Sequence, residues 1–136
     1  MIPSFRAERP IDHVGVAVHS IADSSLIFEL LSGVSCSPPE TLSSQGVRVA
    51  FVGSVELIEP LGPETTVGRF LDRRGPGLHH IAYRTDDLEA DLAALDAAGL
   101  QLIDRSPRLG ANGHRVAFLH PSSTGGVLVE LVERSG

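Results

Sequence analysis

The sequence predicts an α+β fold made of two tandem βαβββ modules, and three matched blocks of residues carry that prediction. Leu78-His79-His80-Ile81-Ala82 restarts a pattern begun at Ile11-Asp12-His13-Val14-Gly15. Arg48-Val49-Ala50-Phe51 begins 35 residues after His13, and Arg115-Val116-Ala117-Phe118 begins 35 residues after His80. Val55-Glu56-Leu57-Ile58-Glu59 and Val129-Glu130-Leu131-Val132-Glu133 then close the two copies in the same order. Blocks kept in step constrain the whole fold before any single element is assigned. A chain of 136 residues has the length of one ordinary domain. The expectation is therefore a single domain over 1–136, with a first module at about 10–62, a linker at about 63–76 and a second module at about 77–134.

Taken in order, residues 11–18 alternate as a strand, with Val14, Val16 and Val18 on one face and His13, Gly15 and Ala17 on the other. Small residues beside a histidine leave room that a packed core would fill, so this face is expected to border a cavity. Ser20 to Leu31 reads as a helix capped by Ser20 or Asp23, with Ile21, Leu26, Leu30 and Leu31 facing inward and a stop near Gly33. The Ser/Pro-rich stretch 35–44 allows at most a short edge strand, because Pro38-Pro39 cannot donate to a ladder. Val47 to Val52 and Val55 to Glu59 form a hairpin through Gly53-Ser54, and residues 63–74 connect the modules through a short helix. In the second module His79 to Arg84 is a strand, and Asp86 with Glu89 caps a helix that ends at Gly99. Gln101 to Asp104 is expected as a strand, residues 107–113 as a glycine-containing loop, and Arg115 to Leu119 and Val127 to Val132 as the last two strands.

Composition narrows the chemistry. A net charge of −6, five Phe, one Tyr and no Trp exclude a basic, aromatic nucleic-acid surface. No apolar run is long enough to span a bilayer, and the opening segment Met1–Pro10 lacks the apolar core of a secretory signal, so a soluble, cytoplasmic protein is expected. The single cysteine, Cys36, rules out an internal disulfide and a cysteine-cluster metal site. All eleven basic residues are arginine, which removes Schiff-base lysine chemistry. Catalysis would fall to carboxylates, imidazoles or a metal.

His13, Glu56, His80 and Glu130 each sit on the first or last strand of a module, and two equivalent modules packed about a pseudo-twofold axis would bring them together. Two imidazoles and two carboxylates suit a divalent ion such as Co, Mn, Ni, Zn or Mg. Glu130 interrupts an apolar run, where an ionised carboxylate without a partner would be costly. His79 points to the face opposite His80, and the repeat selects His80.

These residues resemble the vicinal-oxygen-chelate superfamily and, within it, the methylmalonyl-CoA epimerases. The resemblance runs from Ile11 to Val132 and rests on IDHVGVAV at 11–18, QGVRVAF at 45–51, VELIEPL at 55–61, GLHHIAYRTDDL at 77–88 and FLHPSSTGGVLVEL at 118–131. It implies a U-shaped sheet around a metal cavity, a homodimer, and cobalt or a similar ion held by His13, His80 and Glu130, with Glu56 as fourth ligand. It also implies an acyl-CoA substrate inverted at C2; inversion needs two proton-transfer groups on opposite faces, and Glu130 and Glu56 are the candidates read here for that work. Rival readings are a glyoxalase I-like isomerase and a non-catalytic ligand-binding protein of the same fold. Two positions depart from the resemblance: Val49 stands where some epimerases carry a catalytic glutamate, and Ser122 where a lysine is common. Arg48 and Arg115 are the arginines considered as replacements for that lost charge.

Overall fold

The structure, a computed structural model, describes residues 8–134. Of the opening segment Met1–Pro10, residues 1–7 lie outside the described residues. The described chain divides into two compact units, one running from His13 to His79 and the other combining residues 8–12 with residues 80–134. No helix among the described residues is long and apolar enough to cross a membrane.

The first unit is built from β1 (Ile11–Ala17), α1 (Ile21–Ser32), β2 (Glu40–Leu42), β3 (Val47–Val52), β4 (Val55–Pro60) and α2 (Thr66–Arg74). Its strands run in the order β2-β3-β4-β1, with β1 parallel to β4 and the other pairs antiparallel. Ser20 caps α1 by accepting from the Asp23 amide at 3.2 Å, and Gly33, at φ +74, ends it in the left-handed conformation that glycine adopts freely. The expected inward face of α1 is corrected by the structure. Ile21 and Ser25 are buried and Phe28 packs on the core, whereas Leu26, Leu30 and Leu31 are 68–78% exposed. The cause is a fixed entry angle: the Ile21 amide donates to Glu59 Oε1 at 2.9 Å, which turns the i, i+4, i+7 row beginning at Ile21 toward the sheet. Ile21, Val18, Ala50, Val52 and the fully buried Leu57 form that core. Burial of such a leucine is worth about 2 kcal/mol.

The second unit comprises β5 (Gly77–Arg84), α3 (Leu88–Ala97), β6 (Arg108–Leu109), β7 (Arg115–Leu119) and β8 (Val129–Glu133), in the strand order β5-β8-β7-β6. Here β5 is parallel to β8 and the remaining pairs are antiparallel. Three expectations shift. Asp87, not Asp86, caps α3 through the Ala90 amide at 3.1 Å, while Glu89 is drawn away to pair with Arg115. Residues 101–104 form no strand beyond an isolated bridge between Leu102 and Leu119, because the amides of Ile103 and Asp104 both turn to the Phe118 carbonyl. The short strand comes later, at Arg108–Leu109, inside the stretch expected as a loop. Leu88, Leu92 and Leu95 of α3 then cover Ala117, Leu119 and Leu131.

Candidate metal centre

Alternation along each strand sorts the side chains to two faces. In the first unit Gly15 lies beside Glu56 in the parallel β1–β4 register, and Phe51 faces Glu56 across β3–β4. His13, two residues before Gly15, therefore shares their face. In the second unit Ala82 lies beside Glu130 and Phe118 faces it, so His80 shares that face in the same way. Gly15 and Ala82 thus place only small residues beside each carboxylate in the register.

The geometry of the two pairs is nearly the same. His13 Nε2 lies 3.3 Å from Glu56 Oε1, and His80 Nε2 lies 3.2 Å from Glu130 Oε1. All four residues are buried. Each imidazole meets a phenylalanine from two strands away in a T-shaped contact across the glutamate strand, His13 with Phe51 at 5.5 Å and His80 with Phe118 at 5.7 Å between ring centres. These phenylalanines escaped the sequence reading, although their place in the repeated Val-Ala-Phe block, opposite each glutamate, marks them.

A metal fits these donors. Nitrogen and carboxylate ligands bind zinc-like ions at about 2.0–2.2 Å, which sets neighbouring donors about 3.0–3.5 Å apart in a coordination shell. Both observed separations fall in that range. The absence of thiolate and the presence of carboxylate favour ions of intermediate hardness.

Other candidates fall away from this face. His79 packs edge-on against Phe70 of α2, 5.0 Å between ring centres. Arg48 and Arg115 do not supply the charge considered for them, because each belongs to the helix-covered face. Arg48 pairs with Glu59 and Arg115 with Glu133, and those same glutamates accept the first amides of α1 and α3. Pairing with Glu89 and Glu133 raises the Arg115 pKa against the effect of burial, as a structural tether would. Cys36 is half-buried, and burial together with the Glu29 carboxylate raises its thiol pKa, which makes it a poor nucleophile.

The chain matches the Glyoxalase/Bleomycin resistance protein/Dioxygenase superfamily over residues 12–118. It belongs to that superfamily. Among its relatives, the uncharacterized protein YqjC of Bacillus subtilis (strain 168) is 48% identical over 130 residues, 93% of each chain. The mitochondrial methylmalonyl-CoA epimerase of Dictyostelium discoideum is 35% identical over 129 residues, 91% of this chain and 78% of that one. A solved structure of a Streptomyces coelicolor methylmalonyl-CoA epimerase variant in complex with 2-nitronate-propionyl-CoA matches with a TM-score of 0.90 at 34% identity, covering 96% of this chain and 97% of the other. This member of the superfamily thus has the α+β glyoxalase-like fold, is related to methylmalonyl-CoA epimerases, and carries buried His and Glu donors that could hold a divalent ion.

Proposed function

We propose that the protein is a metal-dependent epimerase that inverts C2 of methylmalonyl-CoA or a closely related 2-substituted acyl-CoA. The observation that carries this reading is the duplicated, buried His–Glu pair, equal in register and spacing in the two units. In this proposal the units are halves of one domain, and His13, Glu56, His80 and Glu130 form a single donor set for one ion, with cobalt first and Mn, Ni, Zn or Mg as alternatives. Two copies of the chain form a homodimer.

A divalent ion supplies Lewis-acid compensation for the negative charge that builds on a thioester carbonyl when its C2 proton leaves. The remaining work belongs to the side chains. Ionised Glu130 takes the C2 proton at a carboxylate oxygen, and protonated Glu56 gives a proton to the other side of the enolate, as inversion requires of two groups; exchange of both carboxyl groups with water then restores their starting states. Phe51 and Phe118 fix the imidazole planes. Val49 carries no titratable group, which leaves the second proton transfer to Glu56. The likeness to the Dictyostelium and Streptomyces epimerases supports the choice of substrate.

Incubation of (2R)- or (2S)-methylmalonyl-CoA in D₂O with metal-loaded protein tests the reading: C2 deuteration with loss of chirality is the expected result. Unchanged substrate in the presence of added cobalt would reject it. A glyoxalase I-like isomerase would instead turn over a glutathione thiohemiacetal in the same tubes. Metal analysis of protein purified without added ions tests the donor set independently.

A further inference from the structure

We propose that Arg108 holds the free carboxylate of the acyl group and so gives the site its preference for carboxylated acyl-CoA substrates. This rests on the acyl-CoA reading above.

Strand register places the residue. Arg108 lies opposite Val116 on β6–β7, and Val116 is two residues before Phe118, which faces Glu130. Arg108, Val116, Phe118, Glu130, Ala82 and His80 therefore share one face of the second unit. Contacts agree with the register. The Arg108 guanidinium carbon stands 5.2 Å from the centre of the Phe118 ring, and the same ring meets His80 edge-on at 5.7 Å. One aromatic ring thus touches both a proposed metal ligand and a cation.

Arg108 is tethered at one end only. Its Nε is ion-paired with Asp104 Oδ2 at 3.2 Å without making a hydrogen bond, and that oxygen accepts the Phe118 amide at 2.8 Å. Among the described residues neither Nη1 nor Nη2 makes a hydrogen bond, and the side chain is 38% exposed. Two terminal amino groups in a planar fork are therefore open to a carboxylate, which the guanidinium can grip with two parallel hydrogen bonds. The phenylalanine beneath excludes water from one side and strengthens the pairing. The other arginines considered for this task, Arg48 and Arg115, are spent on the helix-covered face. A position one ring away from His80 suits the acyl end of the substrate, since the long pantetheine arm carries the CoA phosphates far from the reacting carbon.

The test compares two thioesters that differ by the carboxylate. Binding of racemic methylmalonyl-CoA and of propionyl-CoA to metal-loaded protein is measured by calorimetry for wild type, Arg108→Leu and Arg108→Lys. Loss of a charge-assisted hydrogen bond predicts that Arg108→Leu weakens methylmalonyl-CoA about tenfold to a hundredfold and propionyl-CoA less than about twofold. Arg108→Lys should recover part of the loss, having the charge without the fork. Equal weakening of both thioesters would mean that the guanidinium serves the CoA portion, and no weakening of either would mean that it touches no substrate; each overturns the proposal. So does wild-type protein that fails to prefer methylmalonyl-CoA. Wild type that prefers it but leaves C2 unexchanged in D₂O would remove the epimerase reading while the role of Arg108 stood. Should Arg108→Leu fail to fold, Arg108→Gln, which keeps a polar side chain beside Asp104 without the charge, decides the question by the same ratio.

Discussion

The two units repeat each other in register and spacing where the donors sit and diverge around them. Glu59 and Glu133 each take a helix amide and an arginine. Ser37 and Asp104 stand at the same offset as His13 and His80, and each accepts the amide of the phenylalanine that braces the histidine, Phe51 at 2.8 Å and Phe118 at 2.8 Å. The divergence begins at that point. Ser37 offers a neutral hydroxyl, whereas Asp104 offers a carboxylate that also anchors Arg108. The strand partner of Val49 is Glu40, and the partner of Val116 is Arg108, so the edge strand presents opposite charges on the donor face of the two units. Each unit thus carries the same His–Glu–Phe arrangement with an edge strand of opposite charge.

The comparison would break first at the donors. If the halves contribute equally, His13→Ala and His80→Ala should each remove most of the bound metal, as read by elemental analysis. On the proposed mechanism Glu130→Gln and Glu56→Gln should each lower turnover about a thousandfold or more, because each removes a proton-transfer group while leaving an amide oxygen that can still ligate. His79→Gln should leave most of the activity. A large loss in one glutamate variant and a small loss in the other would assign both proton transfers to a single unit.

Stability separates the units next. Asp91 of α3 is buried and binds Arg9 Nη2 at 2.9 Å and the Thr85 hydroxyl, while the matching residue of α1 is Ser24. Removing one member of a buried, hydrogen-bonded ion pair costs about 3 kcal/mol. Asp91→Ala should therefore lower the unfolding free energy in urea by about that amount, against less than about 0.5 kcal/mol for Ser24→Ala. Similar losses for the two would remove this asymmetry.

Much of the core architecture was legible because the repeat fixes it. The βαβββ order, the two hairpin partners and the four donors all follow from blocks that stay in step. What escaped depends on side chains that compete with the pattern. The leucines of α1 look like an apolar face, yet the row that matches Leu88, Leu92 and Leu95 of α3 is Ile21, Ser25 and Phe28, and the hydrogen bond from the Ile21 amide to Glu59 enforces it. That correspondence was present in the sequence and needed only the repeat offset carried into the helices. The strand expected at 101–104 failed for a different reason. The Asp104 carboxylate takes the Phe118 amide in place of a backbone carbonyl, so ladder pairing resumes only at Arg108. No propensity scale contains that exchange.

The smallest expected effect lies in how each helix fills the space over its sheet. Phe28 packs with Val16, Cys36 and Val55 on the first core, whereas Leu95, its counterpart, borders a cavity of about 560 Å³ with Ile81, Tyr83, Val127 and Val129. The longer β7–β8 connection contributes Thr124 and Val127 to the wall, where Gly53-Ser54 closes the first hairpin tightly. Exchanging the two residues separates packing from the repeat itself. Phe28→Leu should destabilise by about 1 kcal/mol, since it deletes ring atoms from a filled site. Leu95→Phe should be neutral or stabilise by up to about 1 kcal/mol, because its added volume enters existing space rather than displacing neighbours. Thermal melts of the two variants read both signs. A destabilising Leu95→Phe would show that the cavity walls cannot admit a ring, and that the second unit is built to keep the space open.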